Sequence, residues 1–183
     1  MALKLGKLLD VPDARAWRRW LKAHHTSEPE IWLVYHSKAS GQPSIAYNDA
    51  VDEALCFGWI DSTVKKVDAE SRAQRFTPRR SGSPISPMNR ERVIRLREAG
   101  RMTQAGLDAI GNIDTPFELP PDIEAALRSD DETWRNYEAQ PESYRRIRVG
   151  FVDGSRRRPE EFKKRLAYYL KMTKANKRYG MVQ

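Results

Sequence analysis

At 183 residues and 39% hydrophobic content, the chain can bury one sizeable core, alone or with a helical appendage. It has no run near the roughly 18–20 apolar residues that a membrane helix needs, and its single cysteine excludes an internal disulfide or a multi-thiolate metal site. The net charge of +8 is unevenly spread: residues 1–71 carry −1, 72–101 carry +7, 102–143 carry −8 and 144–183 carry +10. Two basic blocks thus flank an acidic one. They either meet an anionic partner or neutralise the acidic block internally. The first ten residues have too short an apolar block for a signal peptide, which with the lone cysteine gives the expectation of a cytoplasmic protein.

In chain order, Asp13 is placed to cap a helix running to about His25, with Ala16, Trp17, Trp20, Leu21 and His24 on one face. Glu30 to His36 is rich in β-formers and reads as a central strand. Lys38 to Ser44 is turn-forming and leads into a helix that Ser44 can cap. Tyr47, Val51, Leu55 and Gly58 mark one face of that helix, and Gly58 can take the left-handed residue that ends it. Strands near 59–67 and 73–78 follow, joined around Asp68 to Ser71. The simplest pairing of these segments is a three-stranded antiparallel sheet.

Thr77 to Pro87 holds three prolines and a glycine and cannot be regular structure. Ser86-Pro87 then starts a helix that runs to Ala99 and stops at Gly100. Thr103 opens a shorter one through Ile110, and residues 111–121 read as an extended linker. Beyond it the chain is helical, with starts at Pro121, at Asp130 or Asp131, at Pro141 and at Pro159, the last helix reaching about Arg178. The expected architecture is α+β: helices around a small antiparallel sheet over residues 1–112, and a helical subregion over 113–183 packed on that core.

Trp17-Arg18-Arg19-Trp20-Leu21, Ile31 to Tyr35, Ala54 to Ser62, Arg75 to Arg80, Asn89 to Val93 and Gly100 to Thr103 together resemble the bacterial YdeI/OmpD-associated family across residues 13–110. Arg158-Pro159-Glu160-Glu161-Phe162 through Leu166 resembles a further run of that family more weakly. The chain departs from the family pattern at Ser83-Pro84-Ile85-Ser86, which lacks a tryptophan, and at Ile110 to Ile113, where an insert is shortened. The resemblance implies stress, bacteriocin or cationic-peptide protection, and no catalytic residues.

Cys56 lies between Leu55 and Phe57 at an apolar helix end, which reads as core and not as an activated nucleophile. His24 and His25 diverge by about 100° on a helix and do not share a metal easily. No phosphate-binding glycine pattern is present. The strongest signal is arginine. Arg75, Arg79 and Arg80 surround Phe76, while Arg90, Arg97 and Arg101 share one stripe at helical spacing. Arginine forks suit phosphate and carboxylate groups. Trp59 and Asp61 are the expected rim of an adjoining pocket.

The residues therefore favour a non-enzymatic cytosolic binding protein with an anion-binding surface at Arg75, Arg79, Arg80, Arg90, Arg97 and Arg101, and no cofactor or metal. Two alternatives stay open: a nucleic-acid-associated protein using both basic blocks, and an enzyme on a small anionic metabolite with Asp61 as base and a pocket at the 58–62 turn. A protein partner is also open.

Overall fold

The computed structural model describes residues 4–80 and 82–180, which leaves Met1 to Leu3 of the leader reading and Ser81 of the proline-rich loop outside the described residues. Four strands, β1 (Leu8–Leu9), β2 (Ile31–His36), β3 (Trp59–Lys66) and β4 (Ser71–Pro78), form one sheet in the order β1-β2-β4-β3. The helices are α1 (Ala14–His24), α2 (Tyr47–Cys56), α3 (Pro87–Glu98), α4 (Gln104–Ile110), α5 (Pro121–Arg128), α6 (Asp131–Glu138), α7 (Glu142–Asp153) and α8 (Pro159–Lys174). The class is α+β as expected, but the sheet is four-stranded and mixed. β1 pairs parallel with β2 through Leu8↔Trp32 and Leu9↔Leu33, and two residues carry no periodicity from which a strand can be read. Contacts divide the chain into two compact units. One runs to Pro84 and resumes over Arg92–Ile113; the other takes Ile85–Glu91 and the residues from Asp114 onward.

In the first unit β2 is flanked on both sides, so the apolar run Ile31-Trp32-Leu33-Val34-Tyr35 is buried throughout. β3 is an edge, with Val64 half exposed and a register shift between Asp61 and Val64. Trp17, Trp20, Trp59 and Phe76 make an aromatic cluster with ring centroids 5.2–5.8 Å apart. The buried indoles keep their N–H groups satisfied: Trp17 donates to the Ala50 carbonyl at 3.0 Å and Trp59 to the His25 carbonyl at 3.0 Å.

The α2–β3 turn is closed by α4. Thr103 caps that helix and donates its hydroxyl to the Cys56 carbonyl at 2.6 Å. Gly58 sits at φ 74°, and a Cβ there would lie 2.6 Å from the Ala109 Cβ. Ala109 and Ala105 of α4 thus pack close against Gly58, in the turn where the enzyme reading expects a pocket. The start of α2 also differs from expectation. Ser44 accepts the His36 N–H at 3.0 Å instead of capping, and the helix begins after Ala46 with no side-chain cap.

In the second unit, Ile123, Leu127, Tyr137, Val149, Val152 and Tyr169 form the core of α5–α8, with Trp134, Phe162 and Leu166 packed around it. Local caps set the helix starts: Asp130 accepts from the Thr133 N–H at 2.9 Å, and Pro121 and Pro159 occupy first turns. Among the described residues, no helix is long and apolar enough to cross a membrane.

Candidate functional site

The arginines expected to bind an anion are largely engaged by the protein itself. Arg75 on β4 is held by Glu30, Nε to Oε2 at 2.8 Å. Arg79 donates from Nη2 to the Ser83 carbonyl at 3.1 Å and to its hydroxyl at 3.3 Å, and burial holds its guanidinium below the usual arginine range. Arg90 donates to the Thr115 carbonyl. Arg101 lies past the end of α3, which stops at Glu98 with Gly100 at φ 64°, so it leaves the helical stripe and pairs with Glu53 at 2.6 Å. Arg97 is exposed on the last turn of α3. Arg80 is exposed, and its side chain has no hydrogen-bond partner among the described residues. Four of the six, Arg75, Arg79, Arg90 and Arg101, thus already have acceptors within the protein.

Two acids that sequence reasoning passed over do much of the gathering. Asp52 and Glu53 on α2 are each 5% exposed. Asp52 takes Arg92 at 2.7 Å and Arg95 at 2.5 Å, while Glu53 takes Arg18 and Arg101, each at 2.6 Å. Arg18 also donates to the Arg101 carbonyl at 3.0 Å. The first basic block is thus neutralised in part by acids of the N-terminal segment. The acidic block pairs instead with the second basic block, through Arg156–Asp122 at 2.7 Å and Lys174–Asp130 at 2.9 Å.

Trp59, expected at a pocket rim, is 1% exposed and belongs to the aromatic core. Asp61 is half-buried and accepts from the Tyr47 hydroxyl at 3.1 Å and from Gln74 Nε2 at 2.6 Å. Cys56 is fully buried, and burial pushes its thiol up.

A cavity lies elsewhere in the first unit. A pocket of about 660 Å³ opens between the β2–α2 connection and the β3–β4 turn. One wall is a cross-strand row, Tyr35 opposite Arg72 and Arg72 opposite Lys66, which places all three side chains on one face of the sheet. The Arg72 guanidinium stands 5.8 Å from the Tyr35 ring centroid. The other wall is Ser44 to Tyr47, leading into α2, whose first hydrogen bond runs from the Ala50 N–H to the Ala46 carbonyl. The N–H groups of Tyr47, Asn48 and Asp49 therefore have no intrahelical acceptor and no side-chain cap.

Tyr35 is 5% exposed, and its buried hydroxyl has no partner. Burial, and then the negative charge of Asp61, push it above the usual tyrosine range, so it stays a neutral donor. Lys38, Lys66 and Arg72 make no ion pair among the described residues. At the rim, Asp68 accepts the N–H groups of Glu70 and Ser71, each at 2.8 Å, and these turn contacts hold it below the usual carboxylate range. The lining carries the cations Lys38, Lys66 and Arg72 against the acids Asp68 and Glu70, with two tyrosines, Tyr35 and Tyr47, a combination suited to an anionic ligand with a planar body. The sequence signal for it was slight: Tyr35 ends a buried strand, Tyr47 starts an apolar helix face, and the loop between them carries Lys38.

Residues 9–109, more than half of the chain, match the family model described as Domain of unknown function (DUF8412). Residues 116–176 match the model described as Bacteriocin-protection, YdeI or OmpD-Associated. No curated protein and no solved structure matches. The YdeI/OmpD-associated likeness is thus present, but in the helical stretch that includes Arg158 to Leu166. The motif-rich stretch over 13–110 falls almost wholly within the other match.

Proposed function

We propose a binding function for this chain, which belongs to the family described as Domain of unknown function (DUF8412). In this reading it is a cytosolic, non-enzymatic protein that holds a small anion in the pocket bounded by Tyr35, Tyr47, Lys66 and Arg72. The observation that carries the reading is the Tyr35 hydroxyl, buried without a partner in a pocket whose cations Lys38, Lys66 and Arg72 are unpaired. A buried polar group left unsatisfied costs about 1–3 kcal/mol, and a ligand oxygen at that position recovers it. The uncapped start of α2 adds N–H donors and the positive end of a helix dipole on the facing wall. The anion-binding role expected of Arg75, Arg79, Arg90 and Arg101 passes to this pocket, since those four already have internal acceptors. Bacteriocin protection, named in the description of the match over 116–176, is compatible with a protein that acts by sequestering a ligand.

Calorimetric titration with phenyl phosphate tests the reading, because that probe joins a planar ring to a dianion. Saturable binding is expected, weakened about tenfold or more by Arg72→Ala, the loss of a charge-assisted hydrogen bond being worth about 1.5–3 kcal/mol. Tyr35→Phe should weaken it too. Absent heat from phenyl phosphate and from benzoate alike, or affinity indifferent to both substitutions, would remove the pocket as the ligand site.

A further inference from the structure

The second unit carries an exposed alternation of rings and cations that the pocket does not explain. Tyr168 on α8 and Phe151 on α7 are 48% and 43% exposed. They are joined through a continuous series. The Tyr168 ring meets Tyr179 edge-on at 4.8 Å, the Arg148 guanidinium stands 4.9 Å from Tyr179 and 5.6 Å from Phe151, and Arg165 stands 3.9 Å from Phe151.

Arg148 is 5% exposed, its Nε is buried without a partner, and no carboxylate pairs with it among the described residues. The rings of Tyr144, Phe151 and Tyr179 surround its charge, which leaves the cluster net positive. Lys164 and Lys171, four residues before and three after Tyr168, share its helical face, and neither makes an ion pair among the described residues. The neighbouring acid Glu161 is already taken by Arg165 at 2.7 Å.

We propose that this α7–α8 face of the second unit binds single-stranded nucleic acid, with a base stacking on Tyr168 and phosphates meeting Lys164 and Lys171. A duplex hides its base faces and an acidic peptide makes no use of exposed ring faces, so the combination fits a single strand best. The proposal is independent of the pocket and of its ligand.

Fluorescence anisotropy of a labelled 12-nucleotide oligo(dT) against the full chain at low salt tests it, with a duplex of the same length as comparison. The expected result is binding to the single strand in preference to the duplex, falling steeply with salt as counterions are released. Tyr168→Ala should weaken it by about 5-fold or more, since stacking on one aromatic is worth about 1–3 kcal/mol. Lys164→Ala with Lys171→Ala should flatten the salt dependence. These side chains are exposed, so circular dichroism should show each variant folded, and Tyr168→Phe, which keeps a ring, should bind like the parent. No single-strand binding, equal binding of duplex, or affinity unmoved by Tyr168→Ala would each overturn the proposal, the last reducing the face to a plain basic patch. Binding of anionic vesicles or of a poly-glutamate peptide in place of the oligonucleotide would overturn it as well.

Discussion

Gly106 shows how one residue fixes the relation of two elements. It lies in the first turn of α4, and a Cβ built there would stand 2.3 Å from the Cys56 carbonyl oxygen and 2.7 Å from its carbon. Both are backbone atoms at the end of α2, so no side chain can swing aside to admit a methyl group. Thr103 draws the same carbonyl close with its N–H at 3.0 Å and its hydroxyl at 2.6 Å. Gly106→Ala must therefore push α4 off the α2–β3 turn, and overpacking of this kind costs about 1–3 kcal/mol or more. Urea denaturation should show a lower midpoint at unchanged slope. A midpoint equal to that of the parent would mean that α4 is loosely placed. Gly82 gives a contrast: unlike the helical Gly106 it is left-handed, at φ 70°, and a Cβ there meets nothing, so its substitution strains only the backbone.

At the level of elements, α2 is the most heavily used helix of the first unit, buried from Ala50 to Cys56 with two adjacent acids inside that stretch. Each acid holds two arginines drawn from elsewhere in the first unit. Asp52→Ala leaves Arg92, whose side chain is only 11% exposed, with the neutral Asn48 Oδ1 at 2.5 Å but without its carboxylate, and removing one charged partner of such a buried pair costs about 3–5 kcal/mol. Arg95, at 56% exposure, can turn to water and should contribute little to that loss. Thermal unfolding is expected to show a large drop in Tm for Asp52→Ala and a small one for Arg95→Ala. Comparable drops would mean that Asn48 alone is partner enough for Arg92. These clamps also show where the sequence was legible. Asp13, Ser86, Thr103 and Asp130 each serve helix starts within three residues, and those starts could be read directly. The acid partners of Arg75 and Arg101 lie 45 and 48 residues away, beyond the reach of local pattern, so internally bonded arginines read as part of a binding surface. Ser44 misled for a related reason: its hydroxyl is taken up by a strand N–H eight residues earlier. Two-residue β1 left no trace to follow. The pocket was hidden because its row, Tyr35 with Arg72 and Lys66, exists only once β2, β4 and β3 are in register.

Among the described residues, each unit buries one tyrosine hydroxyl with no partner: Tyr35 in the first and Tyr169 in the second. Both are pushed above the usual tyrosine range, chiefly by burial. A raised pKa on an acid means that the folded state keeps its proton after the unfolded state, with a pKa of about 10, has released it. Above about pH 10 the unfolded state binds fewer protons, so each tyrosine lowers stability as pH rises, and neither contributes pH dependence below that point. The protein is therefore expected to lose stability on the alkaline side, with Tyr35 and Tyr169 ionising only as their own units open. Ultraviolet titration at the phenolate band should show a late, cooperative step that coincides with loss of circular dichroism. Tyr35→Phe should reduce the amplitude of that step, and so should Tyr169→Phe. Because the units have separate cores, the two substitutions report on different parts of the chain: if the units open at different pH, each variant loses a different portion of the late step. The decisive observation concerns Tyr35. If it ionises near pH 10 while circular dichroism is still native, its hydroxyl has ready access to water, and the buried donor on which the pocket's preference for an anion rests is lost.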